Sequence, residues 1–229
     1  MVQPESALIA ASSNSDTVYI WRTDTGECTQ VLENKTETTQ FVTFSHDSSL
    51  VLASTDDGKD AQIWRTDTGK SIQKLERCTV SWARSAVFSH DSAFVVSASS
   101  NELRVWKINT GGCARVVPTK GWDMQLLSSE PGNLPFGPGK LPSELSSTCI
   151  VTNIGAIAFA KSATTFSTIG IGVSRDRCWI TWNGQNLLWL PVEFRSEKTA
   201  VRGSTVVIGC DSRLIVFRFN EAALRLIYG

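Results

Sequence analysis

Serine, histidine and aspartate occur together twice in this chain, as Phe-Ser-His-Asp-Ser at 44–48 and again at 88–92. These residue types supply the nucleophile, base and orienting acid of many hydrolases. The two histidines, His46 and His90, are 44 residues apart and occupy the same place in the repeated segment. Residues that recur at a fixed period usually serve the repeating structure. Asp47 and Asp91 are therefore predicted to be turn residues, and no enzyme activity is expected.

Neither the cysteines nor a Gly-Lys pair has the spacing of a metal site or a phosphate-binding loop. The six cysteines lie far apart, without a Cys-x-x-Cys pair or a nearby histidine that could complete a metal site. Gly139-Lys140 lacks both the earlier glycine and the following serine or threonine of a phosphate-binding loop. We therefore expect buried reduced thiols, no metal and no cofactor.

A second repeated segment shows which elements carry these residues. Trp-Arg-Thr-Asp-Thr-Gly at 21–26 returns unchanged at 64–69 and, in a looser form, as Trp-Lys-Ile-Asn-Thr-Gly at 106–111. The period is therefore 43 and then 42 residues. A period of about 40–45 residues, with four short alternating apolar runs per unit, is typical of a β-propeller blade.

Each repeat has room for four strands, named a to d from the axis of a propeller outward. Trp21, Trp64 and Trp106 are predicted at equivalent core positions on strand c, and Phe44 and Phe88 on strand a. An Asn-Gly turn between two apolar runs predicts a later hairpin. Core positions are also expected for its three tryptophans, Trp179, Trp182 and Trp189.

On these repeats the sequence resembles the WD-repeat family. Its C-terminal third is similar to the last blades of the WD-repeat region of fungal NACHT-type receptors, which are STAND-class proteins. The similar segments are Trp-Ile-Thr-Trp-Asn-Gly-Gln-Asn-Leu-Leu-Trp-Leu-Pro at 179–191 and Ala-Val-Arg-Gly-Ser-Thr-Val-Val-Ile-Gly-Cys at 200–210. The resemblance implies an all-β WD-repeat propeller that recognises a ligand. It covers residues 7–219, and this chain contains no NACHT domain.

The length allows about five to six blades of this period in one domain, 1–229. The blades are predicted at approximately 7–33, 39–75, 82–117, 123–173 with a long loop at 129–147, 169–197, and 198–228.

Ring closure is expected to be imperfect. The first repeat has no strand a and the last has no strand d, so the two ends do not complete one blade. Residues 222–228 alternate as a half-buried strand would, and they are expected to join the last blade. The first blade would then stay open, and the chain alone should be marginally stable and prone to associate.

The charge and hydropathy of the chain indicate which classes of binding partner can be expected. The 22 basic and 22 acidic residues cancel and are interspersed, which argues against nucleic-acid binding. No apolar run approaches the about 20 residues of a membrane helix, and the first residues lack the basic start of a signal peptide. A cytoplasmic protein that binds a protein or other macromolecule, and no membrane, is expected.

The best candidate for partner binding is at the entry to strand a, on the rim of the predicted propeller. Trp82 and Arg84 precede Phe88 there, and Thr38 and Gln40 occupy the same offsets before Phe44. Tryptophan and arginine are enriched at binding hot spots. Two other functions stay open: a generic intracellular scaffold propeller and, more remotely, a propeller hydrolase.

Overall fold

The computed structural model describes several stretches of the chain, which fall into two compact units, Met1–Asp123 and Met124–Gly229. Within these stretches the chain is almost entirely β, with one α-helix near the C-terminal end. The expected all-β class is confirmed, and the antiparallel sheets fit an incomplete propeller. The described residues are 8–12, 17–33, 39–55, 60–76, 85–89, 91–119, 124–131, 148–159, 166–196, 198–210 and 213–228.

The described part of the first unit contains three antiparallel sheets, in which strands adjacent along the chain are adjacent in space. Apolar side chains alternate along these strands, which places every second residue on the same face of the sheet. Sheet 1 consists of β1 (Leu8–Ser12), β2 (Thr17–Arg22) and β3 (Cys28–Glu33); sheet 2 of β4 (Thr39–Phe44), β5 (Leu50–Thr55), β6 (Ala61–Arg65) and β7 (Ser71–Leu75); and sheet 3 of β8 (Ser85–Phe88), β9 (Phe94–Ala98), β10 (Glu102–Lys107) and β11 (Cys113–Pro118).

A serine–aspartate turn joins the first two strands of sheets 2 and 3. In sheet 2 the Ser45 hydroxyl donates to Oδ1 of Asp47 over 2.7 Å, and the same oxygen accepts the Ser49 backbone N–H over 3.1 Å. Ser48 has a φ of 56°, in the left-handed region. Asp91 makes the matching hydrogen bonds in sheet 3. The repeated aspartates therefore hold the chain reversal.

Consecutive sheets of the first unit pack face to face. Trp64 on β6 packs with Val18 and Ile20 of sheet 1, and Trp106 on β10 packs with Ile63 of sheet 2. Both indole side chains are 3% exposed. In sheets 2 and 3, the face that carries the tryptophan therefore packs against the preceding sheet in the chain.

Trp21 differs from its two counterparts in burial. It pairs with Ile9 on the neighbouring strand as Trp64 pairs with Val51, and Trp106 has the same register. The three tryptophans are therefore equivalent in their sheets, but Trp21 is only half-buried. Sheet 1 is the first sheet of the described residues, so no earlier sheet of this unit covers Trp21. Its expected core position is to that extent wrong.

The second unit has one six-stranded and one three-stranded sheet in its described residues. The expected hairpin is present, and Asn183 and Gly184 have φ values of 48° and 79°, as a type I′ turn requires. The strand β12 extends into the segment expected as a loop at 129–147, and residues 132–147 lie outside the described part. Sheet 4 consists of β12 (Leu126–Pro131), β13 (Thr148–Thr152), β14 (Gly155–Phe159), β15 (Phe166–Val173), β16 (Trp179–Trp182) and β17 (Gln185–Trp189); sheet 5 consists of β18 (Thr199–Arg202), β19 (Thr205–Cys210) and β20 (Arg213–Arg218).

The C-terminal segment is a helix, so the strand expected at 222–228 is wrong. Helix α1 (Glu221–Tyr228) follows Asn220, whose Oδ1 accepts the Ala223 backbone N–H over 3.2 Å and caps the helix. Two consecutive alanines also favour a helix. Seven residues are too few to separate a period of 2 from a period of 3.6. The segment therefore adds no strand to sheet 5.

An apolar cluster in the second unit joins sheet 5, the last strands of sheet 4 and the C-terminal helix. Val206 and Ile208 of sheet 5 pack with Ile171 and Ile180 of sheet 4, and Leu224 of α1 joins the same cluster. Leu224 is the buried residue of its helix, which is thereby tied to the core. In the described stretches, no helix is long and apolar enough to cross a membrane.

Candidate functional site

Most of the rim site expected from the sequence falls on residues that the structure does not describe. Thr38, Trp82 and Arg84 lie outside the described residues. Gln40 is on β4, but its side chain is outside the described part as well. This group of four therefore stays a prediction.

The repeated serine–aspartate pairs are engaged in their turns. The Ser45 hydroxyl accepts the Leu50 backbone N–H over 2.9 Å while it donates to Asp47. The hydrogen bond from Ser45 holds the pKa of the Asp47 carboxyl below its usual value. A catalytic serine instead donates to a histidine base. His46 is exposed in the same turn, and His90 lies outside the described residues.

Two observations concern metal and small-molecule sites in the described residues. No group of three or more histidine, cysteine, aspartate or glutamate side chains among them is placed to hold a metal ion. An apolar cavity between sheets 2 and 3, beside Ser54 and Trp106, has room for no more than a water molecule.

The structure contains a third serine–aspartate turn, which was not predicted from the sequence. The Ser174 hydroxyl donates to Oδ1 of Asp176 over 2.6 Å, and the Cys178 backbone N–H donates to the same oxygen over 3.0 Å. Arg177 has a φ of 57°, like the serine at the same place in sheet 2. The Ser-x-Asp pattern was present in the sequence, but the histidine and the preceding phenylalanine of the other copies were not.

The most distinctive exposed group in the described residues surrounds Trp189, at the end of the edge strand β17. Trp189 is 49% exposed, so its expected core position is wrong. It pairs with Trp179, which is half-buried, whereas Trp182 is buried. The guanidinium carbon of Arg195 lies 5.0 Å from the centre of the Trp189 ring. This arrangement is a cation–π contact.

The chain after β17 brings the arginine back over the tryptophan. Leu190 is buried and anchors the end of the strand. A short 3-10 helix, Val192–Phe194, then reverses the chain. The Arg195 Nε donates to the Leu190 carbonyl over 2.9 Å, which fixes the guanidinium above the ring. Val192, 71% exposed, lies in the same connection.

We name Trp179, Trp189, Val192 and Arg195 the Trp189 surface. It presents an indole face, a fixed positive charge and an exposed branched side chain. Tryptophan and arginine are the residues that most often dominate protein–protein interfaces. Because the arginine is already ordered by two contacts, little side-chain entropy remains to be lost on binding. The arrangement can therefore bind an acidic or aromatic group of a partner.

The repeated turns, the equivalent tryptophan strands and the all-β sheets together support a WD-like repeat protein. The chain is similar to the vegetative incompatibility protein HET-E-1 of Podospora anserina, with 38% identity over 80 residues. The match covers 31% of this chain and 6% of that protein. No family model matches the chain.

Proposed function

We propose that this chain is a non-catalytic recognition module that binds a protein or other macromolecular partner. Residues 1–229 would form one WD-repeat propeller domain with the blades predicted above, located in the cytoplasm. The observation that carries the proposal is the ordered pair of Trp189 and Arg195 on the protein surface. This pair is exposed and does not pack in the core. Tryptophan and arginine are also the residue types enriched at binding hot spots.

The more specific role is the sensor portion, or a shortened relative, of a fungal NACHT-type receptor. Two observations support it: the sequence resemblance at 179–191 and 200–210, and the similarity to a fungal vegetative incompatibility protein. The alternative is a generic intracellular scaffold that bridges two proteins. A nucleotide-binding P-loop domain encoded upstream in the same gene would favour the receptor role.

Site-directed photocrosslinking tests the Trp189 surface. A photoreactive residue at position 192 should capture a discrete partner from an extract of the source organism, and Trp189→Ala should abolish that product. The matched control is the same photoreactive residue at position 226, where Leu226 is 89% exposed but lies on α1. Equal capture at both positions, or capture that survives Trp189→Ala, would contradict a specific site.

The predicted rim group is a second proposed contact, formed by Thr38, Gln40, Trp82 and Arg84. Trp82→Ala should weaken partner binding while leaving the thermal midpoint nearly unchanged, because a rim residue contributes little to packing. A scaffold would give different captured proteins from position 192 and from the rim. A sensor would give the same protein from both positions.

A further inference from the structure

In the first unit, one face of sheet 1 carries apolar side chains that are not packed against another sheet of the described residues. Ile9 pairs with Trp21 and Val31 pairs with Tyr19, so these side chains lie on one side of the sheet. The rings of Tyr19 and Trp21 stack with their centres 5.6 Å apart. Ile9 is 54% exposed and Val31 is 56% exposed. We name these four residues the Trp21 face.

The same positions are covered in the next two sheets. Val51, which pairs with Trp64, is fully buried, and Val95, which pairs with Trp106, is 1% exposed. In both cases the preceding sheet provides the covering side chains. The Trp21 face therefore has the form of a surface that another sheet covers.

In sheet 5 the side equivalent to the Trp21 face is covered, and the other side is exposed. Its covered face includes Val206, which pairs with Phe217 as Val51 pairs with Trp64. The other face carries Val207 paired with Val216, and Leu214 two residues before Val216. Leu214 is 76% exposed and Val216 is 51% exposed. We name Val207, Leu214 and Val216 the Leu214 face.

The Leu214 face matches the side that sheets 1 and 2 turn toward the following sheet. Val18 and Ile20 of sheet 1, which lie opposite the side of Trp21, are buried under sheet 2. Leu214 and Val216 precede Phe217 at the spacing at which Val18 and Ile20 precede Trp21. In sheet 5 these side chains remain exposed. Among the described residues, sheet 1 and sheet 5 thus carry exposed faces of the two kinds that pack together within the first unit.

The charges of the two sheets are complementary. Within the strands of sheet 1, the charged residue on the same side as Tyr19 and Val31 is Glu33, which pairs with Thr17. Within the strands of sheet 5, Arg202 and Arg218 lie on the same side as Leu214 and Val216, and no acidic residue lies there. Opposite charges around two apolar faces favour their association and fix its orientation. Two copies of either face would instead place like charges together.

We propose that two copies of this chain associate head to tail, with the Leu214 face of one copy packed on the Trp21 face of the other. The contact repeats the sheet-on-sheet packing already present between sheets 1, 2 and 3. Such an interface joins two different surfaces, so it produces closed rings or longer chains rather than a self-complementary dimer. It is separate from the partner binding proposed at the Trp189 surface.

Sedimentation velocity over a concentration series tests this contact with two complementary variants. Ile9→Lys places a positive charge on the Trp21 face, and Leu214→Lys places one on the Leu214 face. The wild-type chain should self-associate, and either variant alone should do so at least about tenfold more weakly. An equimolar mixture of the two variants should form a one-to-one dimer that grows no further, since only one intact pair of faces remains.

Three results would overturn the proposal: a wild-type chain that stays monomeric, Leu214→Lys chains that still associate with one another, or a mixture of the two variants that remains monomeric. Ile72→Lys is the matched control, because Ile72 is an isoleucine on β7 that is 42% exposed outside both faces. Circular dichroism checks that each variant folds. Val31→Lys replaces Ile9→Lys if that variant does not fold.

Discussion

At the scale of single residues, burial of a repeated tryptophan depends on its neighbours rather than on its own strand. Trp21, Trp64 and Trp106 have the same register, but only the last two are covered by a preceding sheet. A fully packed indole stabilises the fold because it buries apolar area, and because its removal leaves a cavity that the surrounding side chains fill only in part. A half-buried indole buries less area, and its removal leaves less of a cavity.

Trp106→Ala should therefore destabilise the first unit by about 3–5 kcal/mol. Trp21→Ala should cost less than about 2 kcal/mol, because much of the removed surface is already in contact with water. Urea unfolding of both variants and the wild type, monitored below the concentration at which the chain associates, gives the two values. Equal losses would show that Trp21 is buried in solution.

A second residue-scale prediction concerns the turn that follows strand β6. Arg65 donates to Asp67 from Nε over 2.9 Å and from Nη2 over 2.7 Å, and this pair lowers the pKa of the Asp67 carboxyl to about 2. The folded pKa lies below the unfolded value. The ionised Asp67 carboxylate therefore stabilises the fold fully above about pH 4, and this stabilisation is lost as the pH falls through about 2.

Arg65→Met should return the Asp67 pKa toward its ordinary value, and a carbon-detected NMR titration of the carboxyl group measures the change. The equivalent pair Arg22 and Asp24 in sheet 1 is the internal control, because that variant leaves its hydrogen bonds in place. An Asp67 pKa that stays low in the variant would assign the shift to the hydrogen bonds from the hydroxyl and backbone of Thr68 instead.

At the scale of elements, the turn after the third strand also joins neighbouring sheets. The Gln30 Nε2 on β3 of sheet 1 donates to the Asp67 carbonyl over 3.0 Å. Gly69 in the same turn has a φ of 65°, and a Cβ there would lie 2.6 Å from the Gln30 side-chain oxygen. Gly26, the equivalent residue of sheet 1, has a φ of 69° but no atom within 4 Å of a Cβ. Only one of these two glycines lies against a neighbouring sheet.

Gly69→Ala should therefore destabilise the protein more than Gly26→Ala. Both substitutions place alanine in the left-handed region, at about 1–2 kcal/mol each. Gly69→Ala must in addition displace Gln30 and lose its hydrogen bond, for about 1 kcal/mol more. Thermal melts of the two variants measure the difference. If the melting temperatures fall equally, the contact between sheets 1 and 2 at this turn adds nothing to stability.

At the scale of the whole molecule, each of the two compact units contains an apolar cluster made of its own residues. Trp106 belongs to a core of the first unit, and Val206 belongs to that of the second. Units with their own cores often unfold independently, in which case one free energy of unfolding does not describe the chain.

We expect two calorimetric transitions. Trp106→Ala should lower the temperature of only one, and Val206→Ala the temperature of only the other, because each substitution leaves a cavity in one core. Both variants should be compared with the wild type at a concentration where no association is detected. A single transition that moves by the same amount in both variants would indicate that the two units unfold together.

Much of the local structure could be predicted from the sequence. The repeats at 21–26 and 64–69 predict equivalent strands and turns, and the Asn-Gly pair at 183–184 predicts a hairpin. These features depend on residues close together in the chain, such as an alternating apolar run beside a turn residue that tolerates positive φ. The candidate site was less predictable, because Trp189 resembles a core residue in every local respect. The predicted rim group is not tested by the described residues.

The sequence by itself determined the period, the strands of the repeats and the turn chemistry, because alternation and turn preference act over a few residues. Only the tertiary structure decided which faces are covered: Trp64 is buried, while the equivalent Trp21 is not. It also decided that residues 221–228 form a helix, which is anchored by the burial of Leu224 in the core of the second unit. Burial is a property of what lies opposite a side chain, and residues distant in the chain supply it.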